Sequence, residues 1–501
     1  MFRTVIVKIL LAALIFIDLN SYIYCSDSAN TLELISVFAK EVKGERNRYG
    51  NLPEQNELQK YIDLYRRFKK LDYSTEDMER LKQTVDNAIL KSRVISKSNK
   101  YKSNEIIVWD GKTNVHELLQ DADIVLVGTP DSIGTQRNLG YPGSEKAPES
   151  VMNKLFERDL KKYEDLKIVY LGHIKIPKAK NKTTLKNKDG KTVNFPDAIY
   201  ETYESIKLVV SILLEINPHI NFIQIGGDHG LAFPFNAAFA SVDQKLGFIN
   251  CDQHFDTKSP NYGGGRPCGP NSGTSFWYFL ENEHTPSQNA AFVGIDCKNK
   301  SAKDLEEYVR NKGVTKIFYE QEFKDMKPGE EDKLIEKLLS EVGYGVDAGH
   351  LSVCIDVVNK YQAPGCSAPA DEKAGLSKST VLSLAKNAGM NPKFRSLGIF
   401  EIIPDLDKEE VTVKLGMSII LEYMNGIKLR KKQDKSFSSH ISHTILSSSD
   451  VLKNLFFKIF NHGIFASVEC TKWIKETMFE IFLKKSNTYK ARDIALMFYC
   501  A

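Results

Sequence analysis

Residues 252–256 have the sequence DQHFD and directly follow the apolar run 246–251. In an extended backbone the polar side chains of Asp252, His254 and Asp256 point to one face. Two carboxylates and an imidazole placed together suit a divalent cation such as manganese. A solvated loop after a strand gives the same short pattern, so this motif alone leaves both interpretations open.

Three further motifs place polar residues at the ends of apolar runs. The first is GGDH at 226–229, where paired glycines allow a sharp turn that would bring His229 to the same crevice. The second is SVCID at 352–356, and the third begins with Glu401. A buried carboxylate such as Glu401 needs a cation or good hydrogen-bond donors. A structural histidine and a turn or helix-capping carboxylate are the alternatives.

Apolar runs alternate with helical segments from about residue 106 onward. Continuous apolar strands separated by helices predict a parallel sheet that is covered on both faces. The ligand crevice of such a sheet lies beyond the carboxyl ends of its strands, which is where all four motifs fall. The predicted strands are 124–128, 168–172, 222–226, 246–251, 291–295, 316–319, 351–355 and 397–402.

The first 25 residues have the layout of a secretory signal peptide. A basic start precedes a short apolar run at 9–17, and a polar segment follows. The run is well short of the ~18–20 apolar residues that span a bilayer. We therefore expect no stable membrane span and a protein in the secretory pathway or secreted, with a signal anchor or a buried helix as alternatives. Sequons at Asn181 and Asn299 would be glycosylation acceptors on that route.

The α/β region has a helical flank on each side. Apolar stripes at helical spacing and a capping pattern from Ser74 to Asp77 predict helices before it. After it, Phe-rich helical segments without a polar motif could be an accessory element. The predicted organisation is a signal peptide at 1–25, a helical extension at 26–105, an α/β domain at 106–427 and a C-terminal tail at 428–501.

The composition excludes several classes of partner. A formal net charge of +4 over 501 residues suggests no nucleic-acid partner, and the sequence has no zinc-finger spacing and no Gly-rich phosphate loop. The eight cysteines show no paired spacing, so thiols are expected rather than a disulfide framework. The remaining partner is a small-molecule substrate, and the oligomeric state, with a homo-oligomer as one option, is left open.

The four motifs together resemble those of the metal-dependent ureohydrolases, the superfamily of arginases, agmatinases and formimidoylglutamases. These enzymes have GGDH, DxHxD, DxD before APG, and ExxP in the same order and at similar spacing, and the resemblance covers about residues 120–427. It implies a three-layer αβα domain with a mostly parallel eight-stranded sheet. It also implies a hydrolase that cleaves C–N bonds of guanidino or formimino compounds.

The resemblance further implies two manganese ions. The ligands come from three motifs and share one carboxylate: His229, Asp252 and Asp256 for the first ion, and Asp252, His254 and Asp356 for the second. Such a pair lowers the pKa of a bound water and supplies hydroxide near neutral pH. Asp256 would pass a proton to the leaving amine, and Glu401 would hold the positively charged group of the substrate.

Residue 354 departs from the family pattern. Where the ureohydrolases have the first Asp of DxD, a ligand of both metals, this chain has Cys354 before Asp356. A thiolate can bind a metal but favours softer ions than manganese. The sequence leaves open a dinuclear site with a Cys ligand, a site with one metal or a softer metal, and a non-catalytic relative in which Cys354 is a small buried hydrophobe.

The loop after the metal motif favours one branch of the superfamily. Arginases and agmatinases have a His in this loop, whereas this chain has NSGTSF at 271–276, which places Phe276 at that position. The stretch resembles the SGTPF of formimidoylglutamases. We therefore favour a formimidoylglutamase-like hydrolase, with an arginase- or agmatinase-type enzyme and a secreted non-catalytic relative as alternatives.

Basic residues near these loops could bind a carboxylate of the substrate. Lys258 and Arg266 are the candidates, and a solvated loop charge is the alternative for either. The residues predicted to contact the substrate are Lys258, Asn271, Ser272, Gly273 and Glu401.

Overall fold

A computed structural model describes residues 75–447, except for 177–181, 187–191, 197–198, 243, 261–268, 282–284, 297, 299–301, 328 and 372–373. The predicted signal peptide, the sequon residues Asn181 and Asn299 and Arg266 lie outside the described residues.

The secondary structure alternates between strands and helices. The strands are β1 (Val94–Ile95), β2 (Ile106–Val108), β3 (Ile124–Thr129), β4 (Ile168–Ile174), β5 (Lys182–Lys186), β6 (Thr192–Pro196), β7 (Asn221–Gly226), β8 (Leu246–Cys251), β9 (Ala290–Ile295), β10 (Lys316–Tyr319), β11 (Ala348–Cys354) and β12 (Phe394–Phe400). The helices are α1 (Thr75–Arg93), α2 (Val115–Leu119), α3 (Ile133–Arg137), α4 (Ala147–Phe156), α5 (Ile199–Ile216), α6 (Ala232–Ser241), α7 (Ser275–Leu280), α8 (Ala302–Asn311), α9 (Glu320–Lys324), α10 (Glu330–Gly343), α11 (Lys378–Met390) and α12 (Val411–Ser447).

One large sheet organises these elements. Its strand order is β1-β4-β3-β7-β12-β11-β8-β9-β10, and β2 also pairs with β4. All of its pairings are parallel except that of β1 with β4. The eight predicted strands are all present, as β3, β4 and β7 to β12, which confirms the α/β prediction. The sheet is wider than predicted because β1 and β2 join it, and strands of two or three residues carry no period that a sequence could show.

Each face of the sheet has its own apolar core because successive side chains of a strand point to opposite faces. In β3, Ile124 and Leu126 belong to one core, and Val125 and Val127 belong to the other. Helices α4, α10, α11 and α12 contribute to the first core, and α1, α2 and α5 to α8 contribute to the second. Burial on both faces explains why these strands are continuous apolar runs rather than alternating ones.

The predicted flanks contain further helix. The capping pattern at Ser74 is followed by α1, whose Arg93 donates a hydrogen bond of 3.1 Å to Ser205 of α5. The α/β unit ends at Arg430, within α12. In the described part of the chain, none of the helices combines the length and apolarity that a bilayer span requires.

His350 is a buried imidazole in the middle of β11. It is 0% exposed, and its Nδ1 lies 2.9 Å from Ser396 Oγ in β12. Burial, together with the charge of His229, lowers its pKa from 6.5 to about 3. The folded protein therefore keeps this ring neutral at a pH where an unfolded chain would protonate it.

Acid should therefore destabilise the fold through His350. The stabilisation from a neutral His350 is present above pH 6.5 and is lost as the pH falls from there towards 3. Between pH 7 and pH 5 we expect the wild type to lose about 2 kcal/mol more of its free energy of unfolding than His350→Gln, which does not titrate. Urea unfolding at both pH values measures the difference. The same pH dependence in both proteins would contradict a buried neutral His350.

Candidate metal centre

Asp252 lies at the centre of the predicted ligand set. It follows β8 directly and is 0% exposed. Its Oδ2 is 2.9 Å from His229 Nδ1, and its Oδ1 is 3.3 Å from His254 Nδ1. The backbone N–H of His254 donates to Oδ1 at 2.7 Å, which fixes the carboxylate. Each carboxylate oxygen therefore faces a different imidazole, as a bridging ligand requires.

The other predicted ligands lie around this pair of imidazoles. Asp256 Oδ2 is 3.0 Å from His229 Nδ1, and Asp356 Oδ2 is 3.3 Å from His254 Nδ1. The side chains form two groups whose ligand atoms lie within 4.8 Å of one another: His229, Asp252 and Cys354, and Asp252, His254 and Asp356. The carboxyl edge of the sheet thus brings together all six residues that the sequence analysis singled out.

The polar atoms of these groups fit a divalent cation. Among the described residues, His229 Nδ1, Asp252 Oδ2 and Asp356 Oδ1 are buried and have no hydrogen-bond partner. His229 Nδ1 and Asp252 Oδ2 lie 2.9 Å apart, but they are not aligned for a hydrogen bond. Buried polar atoms without partners are rare and need an explanation such as a bound ion. An imidazole and two carboxylates match the preference of a borderline or hard cation.

Charge in the cluster is balanced by protons when no cation is bound. Burial opposes the protonation of His229, but its contacts with Asp252 and Asp256 outweigh burial and raise its pKa to about 10. Burial and the charge of Asp252 raise the pKa of the Asp356 carboxyl. Burial and nearby carboxylates, Asp252 first, raise the pKa of the Cys354 thiol well above 9.0. A divalent cation would replace these protons, because ligands bind metal in their deprotonated forms.

His229 is oriented by its second ring nitrogen. Nε2 lies 2.8 Å from Ser352 Oγ of β11, and the ring stacks on Phe400 with centroids 5.1 Å apart. Phe276 meets it edge-on at 5.4 Å. These contacts leave Nδ1 directed at Asp252 and Asp256. A hydrogen-bond partner on the second ring nitrogen fixes the tautomer and the orientation of a metal-binding histidine.

The residues before His229 lock two loops together. A Cβ on Gly227 would lie 1.9 Å from the carbonyl oxygen of Asp131, so only glycine fits. The buried Asp228 carboxylate accepts hydrogen bonds from the N–H groups of Gly134 at 2.9 Å and Gly230 at 2.8 Å. The GGDH sequence therefore joins the loop after β7 to the loop after β3.

Glu401 follows β12 and presents one oxygen to the site. Its Oε1 accepts hydrogen bonds from Thr135 Oγ1 at 2.8 Å and from the N–H of His229 at 3.0 Å. Its Oε2 is buried and has no hydrogen-bond partner in the described part of the chain. Burial raises the pKa of this carboxyl to about 7. One oxygen thus anchors the side chain, and the other can receive a cationic ligand.

Two candidate functional residues adopt strained backbone. Asp256 has φ 49° and Glu401 has φ 65°, in the left-handed region. This conformation costs non-glycine residues roughly 1–2 kcal/mol each. Such residues persist where their surroundings hold them, and they are frequent at functional sites.

A cavity of about 330 Å³ opens onto this cluster. Its walls include the following predicted residues: His229, His254, Asp256, Lys258, Ser272, Cys354, Asp356 and Glu401. They also include residues that the sequence analysis did not assign to substrate: Thr135, Asn138, Gln253, Leu305, Ser367 and Ala368. The cavity has the size of a small-molecule site.

The predicted substrate residues divide into two sets. Lys258 Nζ donates to Asn138 Oδ1 at 3.3 Å, and Asn138 Nδ2 donates to Ser272 Oγ at 3.0 Å, so these three form one polar wall of the cavity. Asn271 and Gly273 support the loop instead, since Asn271 Oδ1 accepts from the N–H of Gly273 at 2.9 Å. Neither of these two lines the cavity.

Two residues that hold the candidate functional side chains, Ser352 and Thr135, were not predicted from the sequence. Ser352 stands two positions before Cys354 in β11, so the two-residue period of a strand could have placed it on the same face. Thr135 carries no such signal, because its partner Glu401 is 266 residues away in sequence.

A family model, related sequences and solved structures all match this chain. A model of the arginase family matches residues 122–425. A formimidoylglutamase of Halalkalibacterium halodurans is 28% identical over 334 residues, which cover 65% of this chain and 92% of that protein. The formimidoylglutamase structure from Bacillus subtilis has a TM-score of 0.53 at 22% identity and covers 67% of this chain and 96% of its own. The Trypanosoma cruzi formiminoglutamase with manganese has a TM-score of 0.50 at 21% identity, with coverage of 62% and 94%.

Removing the hydroxyl that orients His229 should weaken metal binding. We expect Ser352→Ala to lower the affinity for a divalent ion about 10–100-fold, because the imidazole loses the partner that aims Nδ1. Isothermal titration with manganese measures this. Ser396→Ala is the matched control, since it removes a similar hydroxyl contact from His350 outside the cluster. Equal affinities for the Ser352→Ala and Ser396→Ala proteins would contradict the orienting role.

Proposed function

The chain belongs to the arginase family, and we propose that it is a metal-dependent hydrolase of linear amidines with formimidoylglutamase-like activity. One observation carries the proposal. His229 and His254, which flank the shared carboxylate of Asp252, line the same cavity as Glu401, whose Oε2 has no hydrogen-bond partner among the described residues. The first feature fits a pair of divalent ions, and the second fits the cationic group of an amidine.

Manganese is the ion we propose for the group of Asp252, His254 and Asp356, whose donors are only oxygen and nitrogen. The Trypanosoma cruzi relative is described with manganese, which supports the choice. When bound, such ions polarise a water molecule and make it a nucleophile near neutral pH.

Glu401 would hold the amidinium or formiminium group of the substrate. Its Oε1 is occupied by Thr135 and His229, so the remaining oxygen is fixed in direction before substrate arrives. A charge-assisted hydrogen bond in a buried site is stronger than one between neutral groups. The contact would also keep the planar C–N carbon in one orientation beside Asp252 and Asp256.

Asp256 would transfer the proton to the leaving amine. Its carboxylate lies 3.0 Å from His229 Nδ1 and lines the cavity, so it reaches both the ion-binding cluster and the substrate. Burial and the nearby charge of Asp252 raise the pKa of this carboxyl, which favours its use as a proton carrier.

Lys258 would select a substrate that carries a carboxylate. Its ammonium lies on the cavity wall with Asn138 and Ser272, which supply further hydrogen-bonding groups. A carboxylate on the substrate would be neutralised there, whereas the terminal cation of a polyamine would be repelled. This wall favours a formimino-amino acid over agmatine.

Asp256 gives a direct test of the catalytic role. We expect Asp256→Asn to lower kcat for N-formimidoylglutamate by about 10²–10⁴-fold, because the amide cannot carry the proton. Most of the manganese should remain, since the amide carbonyl still offers an oxygen ligand. Formamide release and metal analysis of the same sample measure both quantities. Asp405→Asn, at an exposed ion pair with Lys146, is the control. Unchanged kcat in Asp256→Asn would overturn this assignment.

Lys258 gives a test of substrate class. We expect Lys258→Met to raise KM for N-formimidoylglutamate about 10-fold or more, because a hydrogen bond to a charged group contributes about 1.5–3 kcal/mol. The kcat should change little, since Lys258 is assigned to binding. Lys316→Met is the control, because Lys316 Nζ bonds to the Gln288 carbonyl at 2.7 Å, outside the cavity. A KM equal to that of the wild type, or faster turnover of arginine or agmatine by the wild type, would contradict the proposed substrate class.

A further inference from the structure

Cys354 lies beside the predicted metal ligands and belongs to neither of the two apolar cores. It is the last residue of β11, is 2% exposed and lines the cavity. Its Sγ belongs to the same ligand group as the His229 nitrogen and an Asp252 oxygen, all within 4.8 Å of one another. A strand end therefore presents sulfur at a point where two other donors meet.

Independent observations indicate that this group binds an ion. His229 Nδ1 and Asp252 Oδ2 are both buried, face this point and have no hydrogen-bond partner among the described residues. The other described cysteines differ from Cys354. Cys251 and Cys366 are also buried thiols, yet neither belongs to a ligand group.

We propose that Cys354 is a metal ligand and that its sulfur makes the half-site it forms with His229 and Asp252 more selective for zinc over manganese. This inference rests on the proposed metal-dependent function and makes it more specific. Sulfur favours softer ions, whereas the half-site of Asp252, His254 and Asp356 has only oxygen and nitrogen donors, which suit manganese. The ratio of zinc affinity to manganese affinity should therefore be larger at the half-site with Cys354 than at the half-site without sulfur.

Binding at Cys354 exchanges a proton for the ion. The S–H bond breaks, the sulfur–metal bond forms, and the proton leaves to solvent through the open cavity. A coordinating thiol is deprotonated outright. The thiolate and the shared carboxylate then offset the two positive charges of the ion.

Cobalt is a spectroscopic probe for this ligand. The purified full-length protein is stripped of metal and titrated with cobalt(II), which gives a thiolate-to-cobalt charge-transfer band in the near ultraviolet only when sulfur is bound. We expect the band in the wild type and in Cys366→Ala, and its loss in Cys354→Ser and Cys354→Asp. Competition with cobalt should give a larger ratio of zinc affinity to manganese affinity in the wild type than in Cys354→Asp, because only the difference between the two proteins reports the sulfur. Cys354→Asp should also bind manganese more tightly than the wild type.

Each outcome decides between the two proposals. Cobalt binding without the band in the wild type, a band that survives Cys354→Ser, or the same zinc-to-manganese affinity ratio in the wild type and Cys354→Asp would overturn the inference and leave the metal-dependent hydrolase intact. Failure to bind cobalt, zinc or manganese would overturn both. If the Cys354 variants do not fold, zinc-edge X-ray absorption of the wild type takes their place. One sulfur in the first shell supports the inference, and a shell of only oxygen and nitrogen contradicts it.

Discussion

The burial of the Asp252 carboxylate is the constraint on which the site depends. A charge removed from water is costly unless it is paired and hydrogen-bonded. Here it lies between two imidazoles, with Asp256 and Asp356 close behind them. Such a concentration of carboxylates is stable only with protons or a cation among them. The parallel sheet makes the arrangement possible, because the carboxyl ends of β7, β8, β11 and β12 meet at one edge.

The second requirement is rigidity around this buried charge. Asp228 ties the loop after β7 to helix α3, and that helix supplies Thr135 to hold Glu401. Ser352 holds the far nitrogen of His229. Of the two residues with left-handed backbone, Glu401 is held by Thr135 and the N–H of His229, and the carbonyl of Asp256 accepts a hydrogen bond from the N–H of Phe276 at 3.0 Å. The result is a preorganised set of donors, which is what binding of a cation and of an amidinium group requires.

The amino-acid sequence predicted the parts that depend on local pattern. Strands buried on both faces are continuous apolar runs, so all eight could be located, and the candidate ligands follow their ends. The separate hairpin of β5 and β6 was not predicted, and neither were the pairing of Asn138 with Lys258 or the support of Glu401 by Thr135. The two side-chain contacts join residues more than a hundred positions apart, which no local period encodes, whereas the hairpin is a local pairing that was overlooked. Residue 354 shows the limit of resemblance, because a family pattern indicates where a ligand stands but not what its replacement binds.

Anomalous diffraction from crystals of the full-length protein grown with manganese would locate the ion. We expect an anomalous peak within coordination distance of Asp252, His254 and Asp356, at the carboxyl edge of the sheet. A well-ordered structure with manganese in the solution and no anomalous peak in contact with Asp252 would contradict this expectation.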